Sequence, residues 1–496
     1  MMNSGTSVEN VLLVVIDALR WDKVGVFGSE SGLTPNIDAL ARRGTAFEWA
    51  FSTTNATDPS LTSIHTGRFP RSTVYHHGEF VTAAEKERVE ATSPLPARLR
   101  DAGINTVAVG RPMGRWHRRG FQTYPAVPKQ SSKSVVAKVE EILIECPRLY
   151  HAARYLNSSF NSLSGRKNRT KIPDYEPLYR EHEPGTDPID TLDAAMGTNR
   201  TYGFVHLMDT HTPYLPKPSI LRERLKKGTY DHSELSLADR EQSLVKPSKE
   251  DFDYGVGRLV ARYDAAVIEA DRKVGRLLEL LDNRGIRDET AVIVTSDHGE
   301  NMTEHGILCD HHGLYDQSIR VPLVIDIPDN DGSRVAEFVQ LTDLMPTILE
   351  LFDETPPVGI HGQSLISLVG HYDKWTSRSA VVAEEAHTQR KVAIRTRDHK
   401  YIEHEQDEVL ELRRGSSLVC GYCGEVHGGE RELYDLQTDP TESRNIFSEQ
   451  PKTAERLRTQ LREFLSALTP PEGMEKRAEY EDEEAVIQRL EELGYR

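Results

Sequence analysis

The chain alternates β-branched apolar runs with amphipathic stretches over most of its length. Val11–Asp17, Thr106–Gly110, Tyr202–Asp209, Thr290–Asp297 and Val321–Ile327 have the length and composition of buried strands. Pro35–Arg43, Pro94–Ala102, Leu259–Asn283 and Leu344–Phe352 carry helical periodicity. Pro35, Pro94 and Pro346 stand where a first helical turn tolerates proline, and Gly44, Gly103 and Gly285 act as stops. Strand–helix alternation predicts an α/β fold with a central, mainly parallel sheet covered by helices on both faces.

After residue 375 the pattern shortens. Val381–Glu384, Val392–Arg395, Lys400–Glu403 and Glu432–Asp435 predict short antiparallel strands, and Ala454–Leu468 and Glu484–Leu493 predict terminal helices. The expected organisation is an α/β unit over 1–375 and a small α+β C-terminal subdomain over 376–496. Polar, proline-containing insertions are expected at about 128–200, with a helix at Val135–Ile144, and at about 215–255.

The run Thr290–Thr295 delivers Asp297 and His298 together, and the first strand ends in Asp17. Open α/β sheets bind ligands at the carboxyl ends of their strands, and a carboxylate beside an imidazole is a metal-ligand pair. Thr57-Asp58-Pro59-Ser60 opens a predicted helix that closes near Thr66-Gly67. A helix start favours an anion, and a metal-bound hydroxyl there can attack an ester. Spacing alone favours the plainer role of Thr57 as a helix cap.

Composition narrows the partners. At 496 residues, 37% hydrophobic and 28% charged, the chain fits a soluble globular protein. A net charge of −17 argues against nucleic acid or an anionic membrane, and makes an anionic substrate depend on local cations, a metal above all. No run approaches a membrane span. The polar start and the short apolar run ending in Asp17 do not suit a secretory signal, so a cytoplasmic location is expected. Cys420-x-x-Cys423 with His427 offers three ligands toward a structural zinc where four are wanted; reduced thiols are the simpler reading.

In their order along the chain, these segments resemble the sulfatase family of the alkaline phosphatase superfamily. The resemblance rests on Asn10–Asp17, on Thr34-Pro35-Asn36-Ile37-Asp38-Ala39-Leu40-Ala41-Arg42-Arg43-Gly44, and on Thr57-Asp58-Pro59-Ser60 with Thr66-Gly67. It continues through Tyr263-Asp264, Ser296-Asp297-His298-Gly299-Glu300, Leu314-Tyr315-Asp316, Arg320-Val321-Pro322, Thr342-Asp343-Leu344-Met345-Pro346-Thr347 and Glu432-Leu433-Tyr434-Asp435-Leu436. It implies an alkaline-phosphatase/sulfatase-like sandwich. The departures are informative. Sulfatases carry Cys or Ser, converted to formylglycine, where this chain has Thr57. Leu61 stands for their Arg, Ala18 for the second of their paired acids, and Asp297-His298 for their frequent Asp-Asn. This set is similar to the threonine-nucleophile branch, which acts on phosphoesters: lipoteichoic acid synthases, phosphoethanolamine transferases and nucleotide phosphodiesterases.

The resemblance implies one divalent ion held by Asp17, Thr57, Asp297 and His298. An imidazole ligand favours zinc or manganese over the calcium of all-oxygen sites, and magnesium still fits. His211, in Asp209-Thr210-His211-Thr212-Pro213, is the candidate general acid, with Asp209 as a neighbouring alternative ligand. His311 and His312 stand near the place of a substrate-binding lysine, and His312 is preferred as the one facing the anion. Arg111 stands near a second such lysine, with Gly114-Arg115-Trp116-His117 as a competing phase. His206, inside an apolar strand, is expected to be a core histidine. The expected function is metal-dependent hydrolysis of a phosphate or sulfate ester, phosphoester favoured, through covalent Thr57. The substrate is expected to be a small anionic ester, possibly sugar- or lipid-linked. One rival is a transferase passing the group to a sugar or lipid alcohol. The other is a catalytically silent binding protein, against which the intact set of polar residues argues.

Overall fold

In a computed structural model of the chain, the described residues are 8–76, 81, 83–111, 115–125, 187–197, 199–212, 214–227, 252–307, 309–370, 375–385, 388–405, 418–420 and 426–468. The expected helices at Val135–Ile144 and Glu484–Leu493, most of both insertions, and Cys423 lie outside them.

The apolar runs build one eight-stranded sheet. Its strands are β1 (Asn10–Ile16), β2 (Thr45–Phe51), β3 (Asn105–Gly110), β4 (Thr201–Leu207), β5 (Thr290–Thr295), β6 (Arg320–Val321), β7 (Leu323–Asp326) and β8 (Ser333–Gln340). The order is β3-β4-β1-β5-β7-β2-β6, with β8 paired to β2. β3, β4, β1 and β5 run parallel, and β7 lies antiparallel between β5 and β2. Pro322 has no N–H to donate, which accounts for the break of the expected strand Val321–Ile327 into β6 and β7.

Both faces of the sheet are covered. Val11, Leu13 and Val15 enter one apolar core while Leu12, Val14 and Ile16 enter another, as the two-residue period of a strand requires. Helix α1 (Pro35–Arg43) is capped from a distance. Asp271, on the helix Phe252–Asn283, accepts from the Ile37 N–H at 2.9 Å and the Asn36 N–H at 3.1 Å. Helix α2 (Thr57–Thr66) is buried at every residue and ends in Gly67 with φ 64°. A second, antiparallel sheet is formed by β9 (Ala380–Glu384), β10 (Lys391–Thr396), β11 (His399–His404) and β12 (Arg431–Asp435), in the order β12-β11-β10-β9. The helix Pro451–Ala467 packs on it through Leu457 and Leu461.

Candidate active site

Parallel pairing without offset puts three strand ends at one rim. Val15 of β1 pairs with Thr295 of β5, and Ile16 pairs with Leu207 of β4. Asp17, Met208 and Ser296 therefore leave the sheet side by side. The turn after Asp17 is tight: Ala18 has φ 57°, its N–H donates to Asp297 Oδ1 at 3.1 Å, and its carbonyl accepts from the Tyr263 hydroxyl at 2.7 Å. The Leu19 N–H donates to Ser296 Oγ at 2.9 Å, and the Thr210 hydroxyl donates to the Asp17 carbonyl. Backbone and hydroxyl contacts thus fix both acids before any ligand arrives.

Helix α2 brings the hydroxyl. Ala56, not Thr57, is the N-cap residue, so Thr57 opens the first turn and its side chain does not cap. Thr57 Oγ1 lies 3.4 Å from Asp17 Oδ2 and 3.2 Å from His298 Nε2. The Ser60 hydroxyl, one turn on, donates to the Asp297 carbonyl at 2.7 Å, so α2 and the end of β5 are tied directly. His298 Nδ1 lies 2.8 Å from the Gly299 carbonyl; a carbonyl only accepts, so Nδ1 donates there and Nε2 is the nitrogen that faces Thr57. Gly299 is required by proximity, because a Cβ there would lie 2.0 Å from the Gln317 carbonyl oxygen.

The four expected ligands converge. His298 Nε2 is 3.8 Å from Asp17 Oδ1 and 3.6 Å from Asp297 Oδ2. Asp17 and Asp297 are fully buried, and among the described residues Asp17 Oδ1 and Asp297 Oδ2 have no hydrogen-bond partner. Burial would raise the Asp17 carboxyl, but the imidazoles of His211, His206 and His298 outweigh it and hold Asp17 well below the usual carboxylate range. Burial, and then the charge of Asp17, raise Asp297 instead.

His206 departs from its expected role. It is buried on β4, but among the described residues neither ring nitrogen has a hydrogen-bond partner, and Nε2 stands 3.4 Å from Asp17 Oδ2. Asp17, His206 and Asp297 form a group whose ligand atoms lie within 4.8 Å of one another. Burial lowers the His206 imidazole, but the adjacent Asp17 carboxylate raises it more. The available signal was a histidine in a strand that neighbours one ending in an acid.

The remaining candidates divide. His211 follows β4 with its ring turned to the Thr212 carbonyl, close enough to lower Asp17 through its charge. Asp209, the alternative ligand, is paired with Lys273 at 2.8 Å. Successive side chains of an extended segment point opposite ways, so the pair His311–His312 splits. The His311 ring lies 4.5 Å from that of His298, whereas His312, preferred from sequence for the anion, faces Cys420 and His427. Arg111 is exposed at the end of β3, with its N–H donating to the His206 carbonyl at 3.3 Å. From the competing phase, His117 reaches the nucleophile helix and meets Asp58 at 3.1 Å. Asn55, two residues before Thr57, was not singled out. Its Nδ2 lies 2.8 Å from the His311 carbonyl, 3.1 Å from that of Gly313 and 2.6 Å from Glu385 Oε2.

The description of the Sulfatase family matches residues 9–354. The chain belongs to the sulfatase family. A second description, "N-sulphoglucosamine sulphohydrolase, C-terminal", matches residues 303–414. Among characterised sulfatases, an "Ulvan-active sulfatase" of Formosa agariphila is 24% identical over 76% of this chain and 68% of its own length. An "N-acetylglucosamine-6-O-sulfatase" of Bacteroides thetaiotaomicron is 23% identical over 89% of this chain and 83% of its own. The fold is shared with a solved protein in complex with its substrate D-glucosamine-2-N,6-O-disulfate, with TM-score 0.64 and 19% identity over 94% of this chain and 99% of that one. It is also shared with the phosphonate monoester hydrolase of Agrobacterium radiobacter, with TM-score 0.62 and 19% identity over 92% of this chain and 95% of that one. Family membership makes the protein a hydrolase acting on ester bonds.

A divalent ion fits this sulfatase-family site. Two buried carboxylates present oxygens that have no hydrogen-bond partner among the described residues, next to an imidazole nitrogen and a hydroxyl. Facing carboxylates in a dry pocket repel each other unless a cation lies between them, and oxygen and nitrogen donors are those that borderline divalent ions take. Among the described residues no helix is long and apolar enough to cross a membrane.

Proposed function

We propose that the protein hydrolyses small anionic esters through a covalent bond to Thr57 and prefers phosphoesters to matched sulfate esters. The observation that carries this reading is the Thr57 hydroxyl, 3.4 Å from Asp17 Oδ2 and 3.2 Å from His298 Nε2, at the start of a buried helix. Asp17, Thr57, Asp297 and His298 would hold the divalent ion, zinc or manganese by donor set, which supplies charge that acidifies the hydroxyl and polarises the ester.

The chain's own groups do the rest. Thr57 Oγ1 gives its proton to solvent and bonds to phosphorus as the leaving-group oxygen departs in line, and His211 gives that oxygen its proton. Water then displaces Thr57, giving one proton to His211, while Thr57 regains its proton from solvent and the hydroxyl is restored. The N-terminal end of α2, at Thr57, favours the negative charge of the transferred group through the helix dipole. Threonine cannot become formylglycine, so the release of sulfate by collapse of a diol to an aldehyde is closed to it. A phosphoryl group also carries more negative charge than a sulfuryl group, and gains more from this site.

Relatives named for sulfated sugars, such as the N-acetylglucosamine-6-O-sulfatase, favour a sugar sulfate as the second reading. The two are separated by rapid quench of labelled aryl phosphate, phosphodiester and sulfate esters with metal supplied. We expect label on Thr57, faster turnover of phosphoesters, and near-complete loss in Thr57→Ala. Faster sulfate ester turnover would overturn the substrate preference; full activity in Thr57→Ala would overturn the nucleophile.

A further inference from the structure

We propose that His312, Cys420 and His427 form a second metal site, of the zinc class, that cross-links the loop carrying His311 to the chain segment following β11. Nothing in the ester-hydrolysing reading uses these residues, and the inference stands apart from it.

The three side chains come from distant parts of the chain and are all buried, at 2%, 1% and 7% exposure. Their ligand atoms lie within 4.8 Å of one another. His312 Nδ1 is 3.4 Å from His427 Nε2 and 3.7 Å from Cys420 Sγ. A tetrahedral zinc with ordinary bond lengths requires about 3.4 Å between two nitrogens and about 3.6 Å between nitrogen and sulfur. Two of the three donor separations thus match the edges of a zinc tetrahedron, and the third lies within 4.8 Å. One soft thiolate with two imidazoles selects zinc over magnesium or calcium.

The surroundings fit as well. His312 Nε2 lies 3.3 Å from Asp310 Oδ1, so a carboxylate stands near its far nitrogen, where metal-bound histidines commonly have one. The His427 carbonyl accepts from Lys391 Nζ at 2.8 Å, and Lys391 is held by Glu432 at 2.6 Å in a fully buried pair. On binding, the Cys420 thiol gives up its proton and the imidazoles offer lone pairs. A fourth position remains for a further donor; Cys423, the partner of Cys420 in the C-x-x-C, lies outside the described residues.

The consequence concerns His311. Its neighbour His312 would be tied to the metal, while Asn55 grips the His311 and Gly313 carbonyls from the other side. The segment that presents His311 to His298 is then clamped at both ends.

The test uses the full chain, purified without chelator, as wild type, as Asp297→Asn, and as Asp297→Asn with Cys420→Ser. We expect about one zinc per chain in Asp297→Asn and less than about a tenth of that in the double variant, as a site with a missing ligand should show. Zinc absent from Asp297→Asn, or equal in both variants, overturns the proposal. Should the double variant not fold, cobalt loaded into Asp297→Asn serves instead. A thiolate-to-cobalt charge-transfer band is expected, with Cys420 alkylated at least about tenfold more slowly than after chelation. No band, or equal alkylation of Cys420 with and without metal, overturns it. Hydrogen exchange at residues 310–313 should slow on metal loading of Asp297→Asn; unchanged exchange rules out the cross-link.

Discussion

His206 Nε2 lies 3.4 Å from Asp17 Oδ2, between neighbouring parallel strands, and among the described residues neither ring nitrogen has a hydrogen-bond partner. The same carboxylate oxygen faces Thr57 Oγ1 at 3.4 Å. We expect His206→Ala to weaken divalent-metal affinity about 10–100-fold, the usual cost of losing such a supporting partner, with the fold retained. Calorimetric titration of the chelated protein measures it; equal affinity in wild type and variant would return His206 to a purely structural role.

His211 stands at the rim beyond β4 and influences Asp17 through its charge. If it protonates the departing oxygen, its loss hurts poor leaving groups most. His211→Ala should lose little on an activated aryl ester and about 10²-fold or more on an alkyl ester. Equal losses on both esters would mean that His211 only positions the substrate.

Arg20, three residues past Asp17, is buried and bridges Asp22, Glu304 and the Glu300 carbonyl. Burial would raise the Glu304 carboxyl, but the Arg20 guanidinium and backbone N–H donors lower it to about 2, from an ordinary value of 4.5. A depressed carboxyl contributes stability that is fully present above its unfolded value and fades as pH falls toward the folded value. Glu304→Gln should therefore cost about 1–3 kcal/mol near pH 7, the usual worth of a charged hydrogen bond. The gap to wild type should narrow as pH falls from 4.5 toward 2. Urea unfolding of both proteins across this range provides the check; a constant gap would disprove the coupling.

Gly299 follows the Asp297-His298 pair, and a Cβ there would meet the Gln317 carbonyl oxygen at 2.0 Å. That neighbour is backbone and cannot rotate away. Gly299→Ala should destabilise the fold by about 1–3 kcal/mol through overpacking and move His298 with it. Thermal unfolding and metal titration should both be affected; an unchanged melting temperature would show that the segment yields freely.

The strand ends of β1 and β5 and the start of α2 were legible in the chain, because long apolar runs and a Thr-Asp-Pro-Ser start carry strong local signals. Asp17, Thr57, Asp297 and His298 converge because parallel pairing aligns the strand ends, and strand–helix alternation already implies that pairing. β2 and β8 were not anticipated. Thr45–Phe51 carries Glu48, and Ser333–Gln340 mixes exposed polar with buried apolar positions, so neither reads as a continuous apolar run. From the sequence, His211 stands out as the candidate general acid, His312 is preferred over His311, and His206 is placed in the core. The tertiary structure decided where each ring lies. Where each ring points depends on strand register, on which side of an extended segment it leaves, and on what packs opposite. The register sets His206 against Asp17, and the alternation of side chains sends His311 to His298 and His312 to Cys420 and His427. The β1–β4 pairing that sets His206 against Asp17 joins residues 191 positions apart, as with Asn10 and Thr201, and no local pattern encodes a contact across such a distance.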